Sequence, residues 1–301
     1  MQKARKISKV FKSKPVIEGA GVHLKRAFGF NPTPLFDPFL LLDDFRSDNP
    51  QHYLKGFPWH PHRGIETITY VLEGHVEHGD SMGNKGDIAS GDVQWMTAGS
   101  GIIHQEMPKG DPHGRMGGFQ LWANLPAAQK MMPPRYREIK SNQIPRVKLE
   151  NGVEIRVISG QLKEGTHGPV RDIVINPEYL DITVPTQTTY HHATKQKDTV
   201  FVYVIEGQGF FCKEKKPLQY EMEGVNYFDM QSEPYASNGT VVLFEEGDYI
   251  EAGTEDEAVR FLLISGKPIR EPVAWYGPIV MNTQEELRLA FEEYENGTFL
   301  K

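Results

Sequence analysis

The chain has 301 residues, 39% apolar and 24% charged, a globular composition that at roughly 100–200 residues per domain suggests two domains. Its net charge of -7 disfavours direct nucleic-acid binding, because an acidic surface repels phosphate. The single cysteine, Cys212, excludes an intrachain disulfide and fits a reducing, cytoplasmic setting; no apolar run approaches the ~18 residues of a membrane span, and no apolar run follows the basic N-terminus as a secretory signal would require.

Lys3, Arg5, Lys6, Lys9, Lys12 and Lys14 have no helical apolar stripe beside them and read as a solvated N-terminal strand region. Asp37–Asp44 (DPFLLLDD) reads as a buried strand. Thr67–Leu72 (TITYVL) is β-branched and aromatic and reads as another, stopped by Gly74. Gly79–Asp92 is turn-rich, and Val93–Met96 and Phe119–Ala123 are further strands. Pro133–Gly152, polar and proline-bearing, is the expected boundary between domains 1–140 and 141–301. Pro217–Val259 carries Glu221, Glu223, Asp229, Glu245, Glu246 and Asp248 without a Lys or Arg, and reads as acidic, solvated loops. Near the end, Asn282 with Glu285 suggests a helix cap. Leu287, Ala290, Phe291 and Tyr294 then recur at helical spacing, with Gly297 as the stop.

The second half echoes the first. Tyr70-Val-Leu-Glu-Gly74 matches Tyr203-Val-Ile-Glu-Gly207, Gly91-Asp92 and Ala98-Gly99 match Gly247-Asp248 and Ala252-Gly253, and Phe119-Gln-Leu-Trp loosely matches Phe261-Leu-Leu-Ile. Their common order suggests an internal duplication of a short-strand, Gly-rich fold, a barrel or sandwich.

Two segments carry chemistry. In Gly56–Glu66 (GFPWHPHRGIE), His60 and His62 are two apart, so on a strand both rings point to one side. In Thr97–Glu106 (TAGSGIIHQE), His104 and Glu106 repeat that spacing. If the two strands lie side by side, three imidazoles and a carboxylate meet, a donor set for Fe(II), Mn(II), Ni(II), Co(II) or Zn(II) without the thiolates of a structural zinc site. Glu66 is a rival ligand on the even-numbered face. Phe57, Trp59 and Trp95 would give a dry lining if they face inward. His75, His78 and His113 read as ordinary polar residues. Aligning Tyr203 with Tyr70 puts Ala193 and Lys195 where His60 and His62 stand, so the second domain should hold no metal; the adjacent His191 and His192 should face opposite ways and read as surface or turn residues.

GFPWHPHRGIETITYVLEG and HGDSMGNKGDIASGDVQWMTAGSGIIHQE, with LLLDDF before them and REPVAWYGPIVMNTQEEL near the end, resemble the pirin family of the cupin superfamily over nearly the whole chain. The resemblance implies an all-β bicupin: two antiparallel, jelly-roll-like β-barrels with a C-terminal helix, metal in the N-terminal barrel alone. It implies His60, His62, His104 and Glu106 as ligands of one divalent metal, iron first, and leaves Glu66 a structural role. It implies either a quercetin 2,3-dioxygenase-like enzyme acting on a flavonol with O2, with Glu106 as the proton acceptor, or a non-catalytic, redox-sensing protein with a protein partner. A monomer without membrane or nucleic-acid contacts is expected.

Overall fold

The computed structural model describes residues 2–30, 33–213, 215–216, 218–220 and 234–301; Glu221, Glu223 and Asp229 of the acidic stretch lie outside them. The chain divides into two compact β-rich units. The first is Lys14–Gln143 with Ile269–Lys301, the second Met1–Ser13 with Ile144–Pro268. This grouping differs from a single cut at 140/141, because each unit takes one terminal segment. Ile7–Lys12 pairs with Thr240–Phe244 in the second unit, and the C-terminal helix belongs with the first.

The first unit has a seven-stranded antiparallel sheet in the order Arg135–Ile139, Val93–Thr97, Ile65–Glu73, Gly117–Asn124, Phe39–Asp44, Val22–Phe28, Lys14–Glu18. It also has a four-stranded sheet in the order Phe57–His62, Ile102–Lys109, His75–Asp80, Lys85–Ala89. Ile65–Glu73 is central to the larger sheet and buried on both faces for most of its length, which suits its run of Ile, Thr, Tyr and Val. Ile102–Lys109 instead alternates, with Ile102, His104, Glu106 and Pro108 buried and Ile103, Gln105 and Met107 half-buried. A hairpin of Ala274–Tyr276 and Ile279–Met281 and the helix Gln284–Glu295 complete the unit.

The helix is capped one residue later than the sequence suggests. Thr283 accepts from the Glu286 amide while Glu286 bonds back to the Thr283 amide, a reciprocal pair that Asn282 and Glu285 do not form. Leu287 and Ala290 are its buried residues, Tyr294 sits edge-on to Phe299, and Gly297 takes a positive φ of 72° just past its end.

The second unit has an eight-stranded sheet and the separate pair Thr189–Ala193 with Tyr249–Gly253. The duplicated motif holds at one turn and not at the others, since Gly91 and Gly99 have positive φ whereas their counterparts Gly247 and Gly253 do not. Gly74 and Gly207 both have positive φ, 72° and 66°, and a Cβ on either would strike a backbone carbonyl. Among the described residues no helix is long and apolar enough to cross a membrane.

Arg63 ties the first unit's C-terminal end to its sheets. Its buried guanidinium donates to the Ser100 and Phe299 carbonyls and to Glu293, each at 2.7 Å, and lies 4.2 Å from the centre of the Phe299 ring. Arg63→Ala strips three acceptors of their donor and is expected to destabilise this unit by about 3 kcal/mol. All four tryptophans (59, 95, 122 and 275) lie in it. Urea unfolding followed by tryptophan fluorescence therefore reads the effect directly, and an unchanged midpoint would refute it.

Candidate metal centre

The first unit brings Phe57–His62 and Ile102–Lys109 side by side, with His104 directly opposite His60 and Ile102 opposite His62. A register shift between His104 and Glu106 then places Glu106 across from Phe57. Such a bulge re-aims the side chain that follows it. The result is a cluster of His60, His62 and His104 whose ligand atoms all lie within 4.8 Å of one another. The ring centres stand 4.8, 4.4 and 5.0 Å apart for the pairs 60–62, 60–104 and 62–104.

Backbone carbonyls settle two of the tautomers. His60 Nδ1 donates to the Pro58 carbonyl at 2.8 Å, and His62 Nδ1 donates to the Pro278 carbonyl at 3.1 Å. The proton of each ring is therefore on Nδ1, and the two Nε2 lone pairs face each other at 3.0 Å. Burial lowers the pKa of all three rings, that of His62 and His104 well below the usual value, and neighbouring histidines lower the latter two further. The rings are thus neutral near pH 7, and no proton bridges the facing lone pairs. His104 is fully buried, and neither of its ring nitrogens has a hydrogen-bond partner. Facing lone pairs and an unpartnered buried imidazole are costly unless a cation sits among them. Neutral nitrogens whose other N–H is anchored to a carbonyl are the arrangement a divalent transition metal takes. The residues fit such an ion.

Glu106 lines the same cavity as His60 and His62 but stands outside the tight cluster. Thr69 Oγ1 lies 2.9 Å from its Oε1 and 2.6 Å from Gln120 Oε1. Burial pushes the Glu106 carboxyl up to about 7, with the Thr69 hydrogen bond pulling the other way. Glu66 is not part of the centre. It is fully buried and accepts from Thr97 Oγ1 at 2.7 Å. Gly64, at φ 78°, turns the chain between the His pair and the next strand, which resets the alternation. Thr69 on the site face then puts Glu66 on the other.

The cavity, about 600 Å³, is walled by Phe57, Trp59, Trp122 and Trp275 among others. Trp95 does not line it, since it pairs with Ile68 on the Glu66 face. Trp122 and Trp275 carry no spacing signal that would have singled them out. Neither does Pro278, which reaches His62 from 216 residues away. His78, read from the sequence as an ordinary polar residue, is buried with its ring 5.6 Å from that of His104 and stacked on Tyr136. His192, read as surface or turn, is a buried strand residue between Tyr190 and Glu178, at 2.9 and 3.0 Å, whereas His191 faces outward toward Glu251.

The comparisons agree with this architecture. The Pirin family profile matches residues 21–123, and that of the Pirin C-terminal cupin domain matches residues 179–300. A Pirin-like protein of Caulobacter vibrioides is 41% identical over 295 residues, covering 98% of this chain and 99% of that one. A Pseudomonas aeruginosa protein whose name proposes a quercetin 2,3-dioxygenase is 39% identical over 301 residues, covering 99% of each. Among solved structures, a quercetin 2,3-dioxygenase from Acinetobacter baumannii superposes with a TM-score of 0.84 at 30% identity and covers 98% of both chains.

Equilibrium dialysis against Co(II) is expected to leave stoichiometric metal on the wild-type protein and none on a His60→Ala, His104→Ala double variant. Stoichiometric metal on the variant would mean that the cluster is not the site.

Proposed function

The chain belongs to the pirin family, and from that premise we propose that it is a metal-dependent dioxygenase of the quercetin 2,3-dioxygenase type, which opens a flavonol-like ring with O2 and releases carbon monoxide. The observation that carries this reading is a cluster of neutral, converging imidazoles at the wall of a large aromatic-lined cavity. In this reading each unit closes as a jelly-roll barrel, domains 1–140 and 141–301 exchange their terminal segments, and the protein works as a cytoplasmic monomer. Its metal is held by His60, His62, His104 and Glu106. Fe(II) is the first choice, and Mn, Ni, Co or Zn suit the same nitrogen and oxygen donors.

When bound, the metal supplies Lewis acidity and a template for the substrate hydroxyl. The rest falls to the chain. Phe57, Trp59, Trp122 and Trp275 offer flat apolar surfaces to a planar aromatic substrate and keep water from it. Arg26 also lines the cavity, but its guanidinium is taken up by Asp43, at 2.8 Å twice, and by Glu18 at 2.9 Å. Among the described residues of that wall a carboxylate substrate finds no uncommitted cationic side chain, which favours a neutral polyphenol. Glu106, ionised once the metal has displaced its proton, would take the hydroxyl proton of the substrate by swinging partly off the metal. The electron-rich enolate left behind is the species that reacts with O2.

The alternative, a metal-dependent interaction protein, is favoured by the presence of the His cluster in one unit beside a second unit that repeats the fold. The volume and aromatic lining of the cavity favour the enzyme. Incubation of metal-loaded protein with quercetin is expected to bleach the flavonol band in air, above a free-metal control, and not under nitrogen. Equal bleaching by protein and free metal would remove the enzymatic reading.

Metal affinity should also depend on pH in a defined direction. Without metal, Glu106 is protonated below about pH 7. The metal must then displace that proton, so affinity is expected to fall by about tenfold per unit as the pH drops below 7. Glu106→Gln is expected to weaken the dependence in this range, because burial moves the imidazoles' pKa down and leaves Glu106 as the ligand that titrates near 7. Co(II) competition titrations between pH 6 and 8 measure it, and an unaltered slope in the variant would exclude Glu106 as a ligand.

A further inference from the structure

The seven-stranded sheet carries a row of polar side chains across its interior face. Glu138 lies opposite Gln94, Gln94 opposite Thr69, Thr69 opposite Gln120, Gln120 opposite Asp43, and Asp43 opposite Arg26. Residues directly opposite across antiparallel strands share a face, with Cβ atoms about 4.5–5.5 Å apart. Six adjacent strands thus each set one polar group at the same level. Apolar residues would fill such a row at lower desolvation cost, so its polarity calls for a reason.

Thr69 sits mid-row and is 1% exposed. It is the member that reaches off the sheet, its hydroxyl meeting Glu106 Oε1 on the facing strand at 2.9 Å. The same hydroxyl lies 2.6 Å from the Gln120 amide, and because one hydroxyl proton serves one acceptor, spending it on Glu106 leaves the Thr69 oxygen to accept from Gln120 with the amide turned to present its Nε2. Gln120 in turn lies across from Asp43, which Arg26 clamps through both carboxylate oxygens at 2.8 Å. Glu106 is therefore tied to a rigid sheet through one hydroxyl, and that hydroxyl is itself held.

We propose that Thr69 and Gln120 are positioning residues for the metal centre: Thr69 holds one oxygen of Glu106 so that the other is presented to the imidazoles, and Gln120 fixes the direction of the Thr69 hydroxyl. This rests on Glu106 being the fourth ligand. A carboxylate turns easily about its last bond, and a tether on one oxygen removes that freedom before metal arrives. Partners of metal ligands at this remove commonly alter affinity by about 10–100-fold. A threonine present only for packing would be replaced without loss by valine, which has the same shape and the same strand preference.

The test uses the full chain loaded with Co(II), whose visible bands report ligand number and type. Thr69→Val, Thr69→Ser, Gln120→Leu and Glu106→Gln are compared with wild type for Co(II) affinity and spectrum, with tryptophan fluorescence and thermal melts confirming that each folds. Thr69→Val is expected to weaken binding about 10–100-fold and to move the spectrum toward that of Glu106→Gln, while Thr69→Ser, which keeps the hydroxyl, stays within about threefold of wild type. Gln120→Leu is expected to shift both readouts the same way by less. Thr69→Val with wild-type affinity and spectrum would overturn the proposal, and so would Thr69→Ser as weak as Thr69→Val, since the shape of the side chain and not its hydroxyl would then matter. Flavonol turnover is not read here. Protein that loads Co(II) normally yet leaves quercetin intact sinks the dioxygenase reading alone, whereas an indifferent Thr69→Val sinks the positioning role alone.

Discussion

Three converging imidazoles, those of His62 and His104 buried and that of His60 half-buried, are the constraint around which the first unit is organised. In water each nitrogen would find its own hydrogen bond. The carbonyls of Pro58 and Pro278 accept from Nδ1 of His60 and His62, which leaves the two Nε2 lone pairs facing each other at 3.0 Å. Burial removes the remedy of protonation, because a charged imidazole would lose its hydration there. The protein therefore keeps an electrostatic demand that one small cation meets.

Meeting that demand takes both ends of the unit. The bulge after His104 sets where Glu106 points, and the C-terminal hairpin brings the Pro278 carbonyl to His62. Arg63, next in sequence to His62, secures the neighbouring helix through Glu293 and the terminal residues through Phe299. One short stretch, 60–63, is thus coupled to a segment more than two hundred residues later, and the same late segment contributes Trp275 to the cavity wall.

The second unit shows what the same kind of strand pair becomes when that demand is absent. Its His192 has a partner on each ring nitrogen, the Tyr190 hydroxyl and the Glu178 carboxylate. These polar groups satisfy one another, and nothing in that arrangement calls for a cation. The contrast lies in bookkeeping of donors and acceptors, not in the number of histidines.

Much was legible in the sequence, because strand periodicity acts locally. The spacing of His60 with His62 and of His104 with Glu106 already placed each pair on one side of a strand, and the β-branched runs, repeated Tyr–Gly motifs and final helical period located the strands, the duplication and the helix. What depended on register was not legible. Glu66 looked equivalent to a ligand until the turn at Gly64 reversed its face, Trp95 looked like lining until its pairing with Ile68 put it on the far side, and His78, Thr69, Gln120 and Pro278 gained their neighbours only through strands and a hairpin distant in sequence. Spacing along a chain determines which side chains share a face. Only the pairing of strands decides what that face meets.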